Sequence, residues 1–130
     1  MKILVVDDDS GSRKLLQLIL EDRGQVDLVE NGTEAVNRYR QSLEEKEPYD
    51  LVLLDIMLPD ITGHEVLHEI REIENEPSNV MINEVKVIMI SALGDSKNIT
   101  KAFDQLVDGY ITKPIRREIL EKEIESLNLK

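Results

Sequence analysis

Several polar residues in this sequence stand where apolar runs stop. Asp7 and Asp8 follow Ile3-Leu4-Val5-Val6, Asp55 ends the run Leu51-Val52-Leu53-Leu54, Ser91 follows Val87-Ile88-Met89-Ile90, and Lys113, just before Pro114, follows Gly109-Tyr110-Ile111-Thr112. One carboxylate at the end of an apolar run is commonplace, and an acidic pair there can simply start a turn. The whole set together is not commonplace. Asp55 in particular interrupts a nearly continuous apolar segment, where an unpaired charge would be costly. If these side chains share a pocket, the three aspartates repel one another, at about 3 kcal/mol per pair for a ~5 Å separation and an effective dielectric of ~20. A cation is then required, and Mg²⁺ suits an all-oxygen site formed by one or two carboxylates with retained waters. With Mg²⁺ and Lys113 against three aspartates, such a pocket is near neutral and ready for an anion. Phosphoryl transfer asks little more of a protein than an in-line nucleophile, a metal and donors to the equatorial oxygens. Asp55 can be that nucleophile, with Ser91 and Lys113 as the donors.

The elements that would position these residues can be read from the periodicity. Short apolar runs alternate with longer segments of helical period, the signature of an α/β fold in which helices cover both faces of a parallel sheet. Strands are expected over Ile3–Asp7, Gln25–Val29, Asp50–Leu54, Lys86–Ile90 and Gly109–Thr112. The first, third and fourth are almost wholly Val, Ile, Leu and Met, as in strands buried on both faces, so these three should be central. Helical stripes follow at Leu15, Leu16, Ile19 and Leu20, and at Ala35, Val36, Tyr39 and Leu43. A third holds Val66, Leu67, Ile70 and Ile73 behind a Thr62/Glu65 capping box. A fourth holds Ile99, Ala102, Phe103 and Leu106, and a fifth helix should run from about Arg116 to Leu127. The stretch from Glu74 to Glu84 looks like a loop, although Val80, Met81 and Ile82 within it suggest that part of it packs down. In open parallel sheets functional groups gather beyond the carboxyl ends of the strands, where the polar set lies.

Jointly, Val5-Val6-Asp7-Asp8, Leu53-Leu54-Asp55-Ile56-Met57-Leu58-Pro59, Ile90-Ser91-Ala92 and Tyr110-Ile111-Thr112-Lys113-Pro114 form a specific pattern. On these motifs the chain resembles the receiver domains of bacterial two-component response regulators, over essentially residues 1–130 and most closely the single-domain, chemotaxis-regulator type. The resemblance implies a doubly wound, flavodoxin-like sheet of five parallel strands in the order 2-1-3-4-5. It implies that Asp7, Asp8, Asp55 and the Met57 backbone carbonyl hold Mg²⁺, and that Asp55 accepts a phosphoryl group from a sensor histidine kinase or a histidine phosphotransfer protein. Ser91 and Tyr110 would be the switch pair, signalling to a downstream effector through helix four, strand five and helix five. The protein would be a switch that catalyses its own phosphorylation and loses phosphate slowly, because Met57 and Leu93 flank the water approach with apolar side chains. Whether activation forms a homodimer is left open. Two features depart from the usual family pattern: serine at position 91, where threonine is commoner, and a longer segment between the third helix and the fourth strand.

Composition limits the alternatives. A chain of 130 residues fits one domain. A formal charge of −11 disfavours direct binding to nucleic acid, which draws on clustered Lys and Arg. No apolar run approaches membrane-span length, so no membrane association is expected. The absence of cysteine removes disulfides, thiolate nucleophiles and thiolate metal sites, and a start directly in strand-like sequence fits a cytoplasmic protein. His64-Glu65-Val66-Leu67-His68 matches the zinc-protease pattern H-E-x-x-H, but helical geometry turns both histidines away from the apolar stripe and toward solvent. Asp7-Asp8-Asp9-Ser10 resembles the D-x-D motif of haloacid-dehalogenase-like phosphatases, which would make Asp7 the nucleophile. That fold needs a further acidic strand end after the lysine, where this sequence has only a helix. No G-x-G-x-x-G follows any strand, which removes dinucleotide binding.

Overall fold

The computed structural model describes residues 1–92 and 107–129. Its elements alternate as strand β1 (Lys2–Val6), helix α1 (Ser10–Leu20), β2 (Gln25–Val29), α2 (Gly32–Glu44), β3 (Leu51–Asp55), α3 (Gly63–Glu74), β4 (Lys86–Ser91), β5 (Gly109–Thr112) and a C-terminal helix, Arg117–Ser126. All four strand pairings are parallel and the sheet order is β2-β1-β3-β4-β5. The three central strands are those whose sequences are apolar on both faces, and every residue of β3 is buried. The fourth helical stripe, Ile99 to Leu106, lies outside the described residues.

Alternation along the strands sends side chains to two cores. Leu4, Val6, Val52, Leu54, Val87 and Met89 pack with the apolar stripes of α2 and α3, whereas Ile3, Val5, Leu51, Leu53, Ile88 and Ile90 pack with α1 and the C-terminal helix. In α3 the anticipated stripe of Val66, Leu67, Ile70 and Ile73 is wholly buried, and the Thr62/Glu65 capping box is formed. α1 buries a narrower stripe than its sequence indicates. Leu16, Ile19 and Leu20 face the core, while Leu15 and Leu18 stay exposed because one helix face can reach only one side of the sheet.

Part of the segment after α3 packs down, but not through the apolar residues that suggested it. Val80 and Met81 are largely exposed and only Ile82 is half-buried. What packs down instead is polar. Asn79 Nδ2 donates to Ile73 O at 2.8 Å, and the buried Glu74 carboxylate accepts from Val85 N at 2.7 Å, from the Tyr39 hydroxyl at 2.6 Å and from Arg71 at 2.8 Å. No helix among the described residues is long and apolar enough to cross a membrane.

Candidate phospho-acceptor site

Strand register gathers the site. Because β1 and β3 pair Val5 with Leu53 and Val6 with Leu54, the next residue of each chain, Asp7 and Asp55, arrives side by side. β3 and β4 pair Asp55 with Ile90, and β4 and β5 pair Ser91 with Thr112, which sets Ser91 and Lys113 at the same rim. Asp7 is fully buried, Asp55 and Ser91 are 4% and 2% exposed, and Asp8 is exposed at the mouth. Carboxylate oxygens of Asp7, Asp8 and Asp55 lie within 4.8 Å of one another.

Lys113 closes this cluster. Its Nζ is 3.1 Å from Asp55 Oδ2 and 3.2 Å from Asp7 Oδ2. The other Asp55 oxygen accepts from the Met57 backbone N–H at 3.0 Å, and Asp7 Oδ1 accepts from Asp9 N at 2.9 Å. Burial pushes the pKa of Asp55 above the ordinary aspartate range, the Asp7 charge adds to the rise, and the Met57 N–H and Lys113 oppose it. Burial also works against the charge on Lys113, but the Asp55 and Asp7 carboxylates outweigh it and its pKa is raised. A lysine held charged beside a buried carboxylate pair is an electrostatic clamp on whatever negative charge develops there.

The donor set fits a hard divalent cation. Asp7 Oδ2 is buried and, although Lys113 lies beside it as an ion pair, accepts no hydrogen bond. A buried carboxylate oxygen that accepts no hydrogen bond is suited to a cation. Every candidate ligand is an oxygen, the chemistry of Mg²⁺ sites.

The structure also locates the other residues singled out above. Met57 is 62% exposed at the rim, two residues past Asp55. Tyr110 is half-buried, paired with Met89, and packs against the core formed with α2 and α3. Ser91, two residues past Met89, falls on that same sheet face, so the two residues of the anticipated switch pair share it. Leu93 lies outside the described residues. His68 is exposed and pairs with Glu72 at 2.9 Å, while His64, expected in solvent, is half-buried and its pKa is lowered by that burial. Neither histidine belongs to a metal-type cluster among the described residues.

Three contributors escaped the sequence reading. Asp9 caps α1 by accepting from Ser12 N at 2.8 Å, a role that the Asp9-Ser10-Gly11-Ser12 stretch could have signalled. Arg13 and Asp60 make contacts 17 to 28 residues away, with Glu30 and with Gly32 and Thr33, and no local pattern announces such partners.

Comparison with known proteins agrees with this geometry. A family model described as the response regulator receiver domain matches residues 3–125. The chemotaxis protein CheY of Halobacterium salinarum is 37% identical over 117 residues, covering 89% of this chain and 87% of that protein. The regulatory protein VanRB of Enterococcus faecalis is 37% identical over 125 residues, covering 96% of this chain and 50% of that one. The chain thus spans about half the length of VanRB, and 45% of the transcriptional regulatory protein ResD of Bacillus subtilis. Among solved structures, a CheX-CheY-BeF3-Mg²⁺ complex from Borrelia burgdorferi matches with a TM-score of 0.82 at 28% identity, over 100% of this chain and 90% of that one. With its family model, its relatives and its strand order in agreement, this chain belongs to the response regulator receiver domains, the signalling switches of two-component systems.

Proposed function

We propose that residues 1–130 act as one receiver unit in which Asp55 accepts a phosphoryl group from a phosphohistidine of a sensor kinase or histidine phosphotransfer protein. The observation that carries this reading is the convergence of Asp7, Asp8, Asp55 and Lys113 at one rim of the sheet, where the buried Asp7 Oδ2 accepts no hydrogen bond. Asp7, Asp8, Asp55 and the Met57 carbonyl would hold Mg²⁺, which when bound supplies positive charge to the phosphoryl oxygens and relieves the repulsion among the aspartates.

In the transfer, an Asp55 carboxylate oxygen forms a bond to phosphorus as the P–N bond to the donor imidazole breaks, and the imidazole leaves with the N–P electron pair. Lys113 Nζ stabilises the negative charge that the acceptor side gathers, and the Met57 N–H fixes the orientation of the Asp55 carboxylate. Ser91 provides a hydroxyl at the same rim. Its rotation toward the phosphoryl oxygens, with Tyr110 following on the shared face, would bias a two-state equilibrium read by an effector protein. The complex of the Borrelia CheY with CheX, BeF3 and Mg²⁺ supports a partner-binding, cation-assisted reading of this site. The excess of acidic residues argues for protein partners and against nucleic acid.

The test is incubation with acetyl phosphate and Mg²⁺ followed by intact-mass measurement. One added phosphoryl group is expected, abolished in Asp55→Asn. Full labelling of Asp55→Asn together with loss in Asp7→Asn would instead select the phosphatase-type nucleophile.

A further inference from the structure

The ladder between β1 and β3 stops one residue short of Asp7 and Asp55. The last pairing of β1 with β3 is Val6 with Leu54. Asp7 and Asp8, and the chain from Ile56 onward, therefore stand beyond the hydrogen bonds that fix the spacing of those two strands. Lys113 offsets part of the repulsion by bridging Asp7 and Asp55, but three aspartates within 4.8 Å still favour separation of these segments, so their spacing needs further support.

The turn between β2 and α2 is tied to both segments. On one side Arg13 of α1 donates from Nη1 to the Asp7 backbone carbonyl at 2.7 Å and from Nη2 to Glu30 at 3.0 Å, and Asp7 N donates to Val29 O at 3.2 Å. On the other side Asp60, in the chain between Asp55 and α3, accepts from Gly32 N and Thr33 N at 2.8 Å each, and also from the Thr33 hydroxyl. The approach is close enough that a Cβ on Gly32 would collide with the Ile61 side chain. These bonds hold the Asp60 carboxyl far below the usual carboxylate range, led by the Thr33 hydroxyl, so the tie stays charged through the whole physiological range. The same chain is closed at its far end, where Gly63 N donates to Ile56 O at 2.8 Å.

We infer that the Glu30-Asn31-Gly32-Thr33 turn is a brace that sets the spacing of the two metal-ligating segments, with Asp60 and Arg13 as positioning residues that raise Mg²⁺ affinity without touching the ion. The inference rests on the Mg²⁺ reading above. It follows from preorganisation: supporting groups that fix ligand geometry commonly govern about 10- to 100-fold of metal affinity.

Calorimetric titration with Mg²⁺ tests it, alongside amide NMR of the metal-free protein. Asp60→Ala should weaken Mg²⁺ binding by about tenfold, and Asp60→Asn, which keeps one acceptor oxygen, should fall between it and the parent. Arg13→Met should weaken binding independently. In the metal-free state Asp60→Ala should also shift the Met57 amide, which donates to Asp55. Tyr49→Phe is the control for general loss of stability, since it removes a 2.6 Å hydrogen bond to Asp27 near the opposite end of the sheet and should leave Mg²⁺ affinity unchanged. Equal affinities for the parent and Asp60→Ala, or equal losses in Asp60→Ala and Tyr49→Phe, overturn the brace alone. A parent protein that binds no Mg²⁺ overturns the metal reading, and the brace with it.

Discussion

Lys113 Nζ and Asp55 Oδ2, 58 residues apart in the chain, meet at 3.1 Å. The contact joins the end of β5 to the end of β3 across β4, and it places a charged donor against the proposed acceptor. Lys113→Met should raise the Asp55 pKa further and slow labelling by acetyl phosphate by about 100-fold, the usual effect of losing one preorganised donor at a developing charge. Carbon NMR titration of the Asp55 carboxyl and a time course of intact mass measure the two effects. An unchanged labelling rate would remove Lys113 from the chemistry.

The raised pKa of Asp55 has a stability consequence. Between the ordinary aspartate value of 3.8 and the higher folded-state value, the folded protein binds more protons than the unfolded chain, so stability falls as pH rises through that window and the loss is complete above it. Asp55→Asn carries no such loss. In metal-free buffer it should melt a few degrees higher than the parent at pH 7, and the difference should shrink as the pH approaches 4. Scanning calorimetry across that range checks the sign; a destabilised Asp55→Asn at pH 7 would show that the Lys113 contact outweighs burial.

Mg²⁺ should stabilise the folded chain by linkage, by about 2.7 kcal/mol when its concentration is a hundred times its dissociation constant. Asp8 is exposed at the mouth, so Asp8→Ala should fold normally and lose most of this response. Melting curves at rising Mg²⁺ decide it, and a parent curve that does not move counts against the acidic pocket.

At the other end of the sheet, Glu74 serves the Tyr39 hydroxyl, Arg71 Nη1 and Val85 N at once, and its carboxylate is almost fully buried. Burial and the Glu74 carboxylate beside it push the Tyr39 hydroxyl far above the ordinary tyrosine range, which keeps it a donor. Removing one member of a buried charged network costs about 3 kcal/mol. Glu74→Ala should therefore lower stability by roughly that amount in denaturant titration, yet leave Mg²⁺ affinity as it was. Lost affinity would mean that the two ends of the sheet are coupled.

Met57 stands exposed at the rim two residues past Asp55, the proposed acceptor, and its thioether side chain is a poor group for orienting an attacking water. Met57→Asn supplies a polar group there and should speed loss of phosphate from the purified phosphoprotein by about tenfold, within the range of positioned acid–base groups. Decay followed by intact mass, with no kinase present, gives the answer. A parental rate in the mutant would leave Met57 as packing alone.

The sequence by itself determined the α/β class, the five strands and which three are central, because burial on both faces demands the uninterrupted Val, Ile, Leu and Met runs of β1, β3 and β4. It also determined the helix α3 stripe and its capping box, since both are local patterns of fixed spacing. The convergence of the candidate site residues was legible for the same reason: Asp7, Asp55, Ser91 and Lys113 each end or follow an apolar run, and parallel strands bring such ends together. Only the tertiary structure decided what surrounds them. Arg13 with Glu30, and Asp60 with Gly32 and Thr33, pair across 17 to 28 residues of chain. The outward face of Leu15, the exposure of Val80 and Met81, and the half-burial of His64 likewise depend on which neighbour each side chain meets. Periodicity gives the face of an element, but burial and partnership are set by the packing of elements distant in sequence, and that information is in no single window of residues.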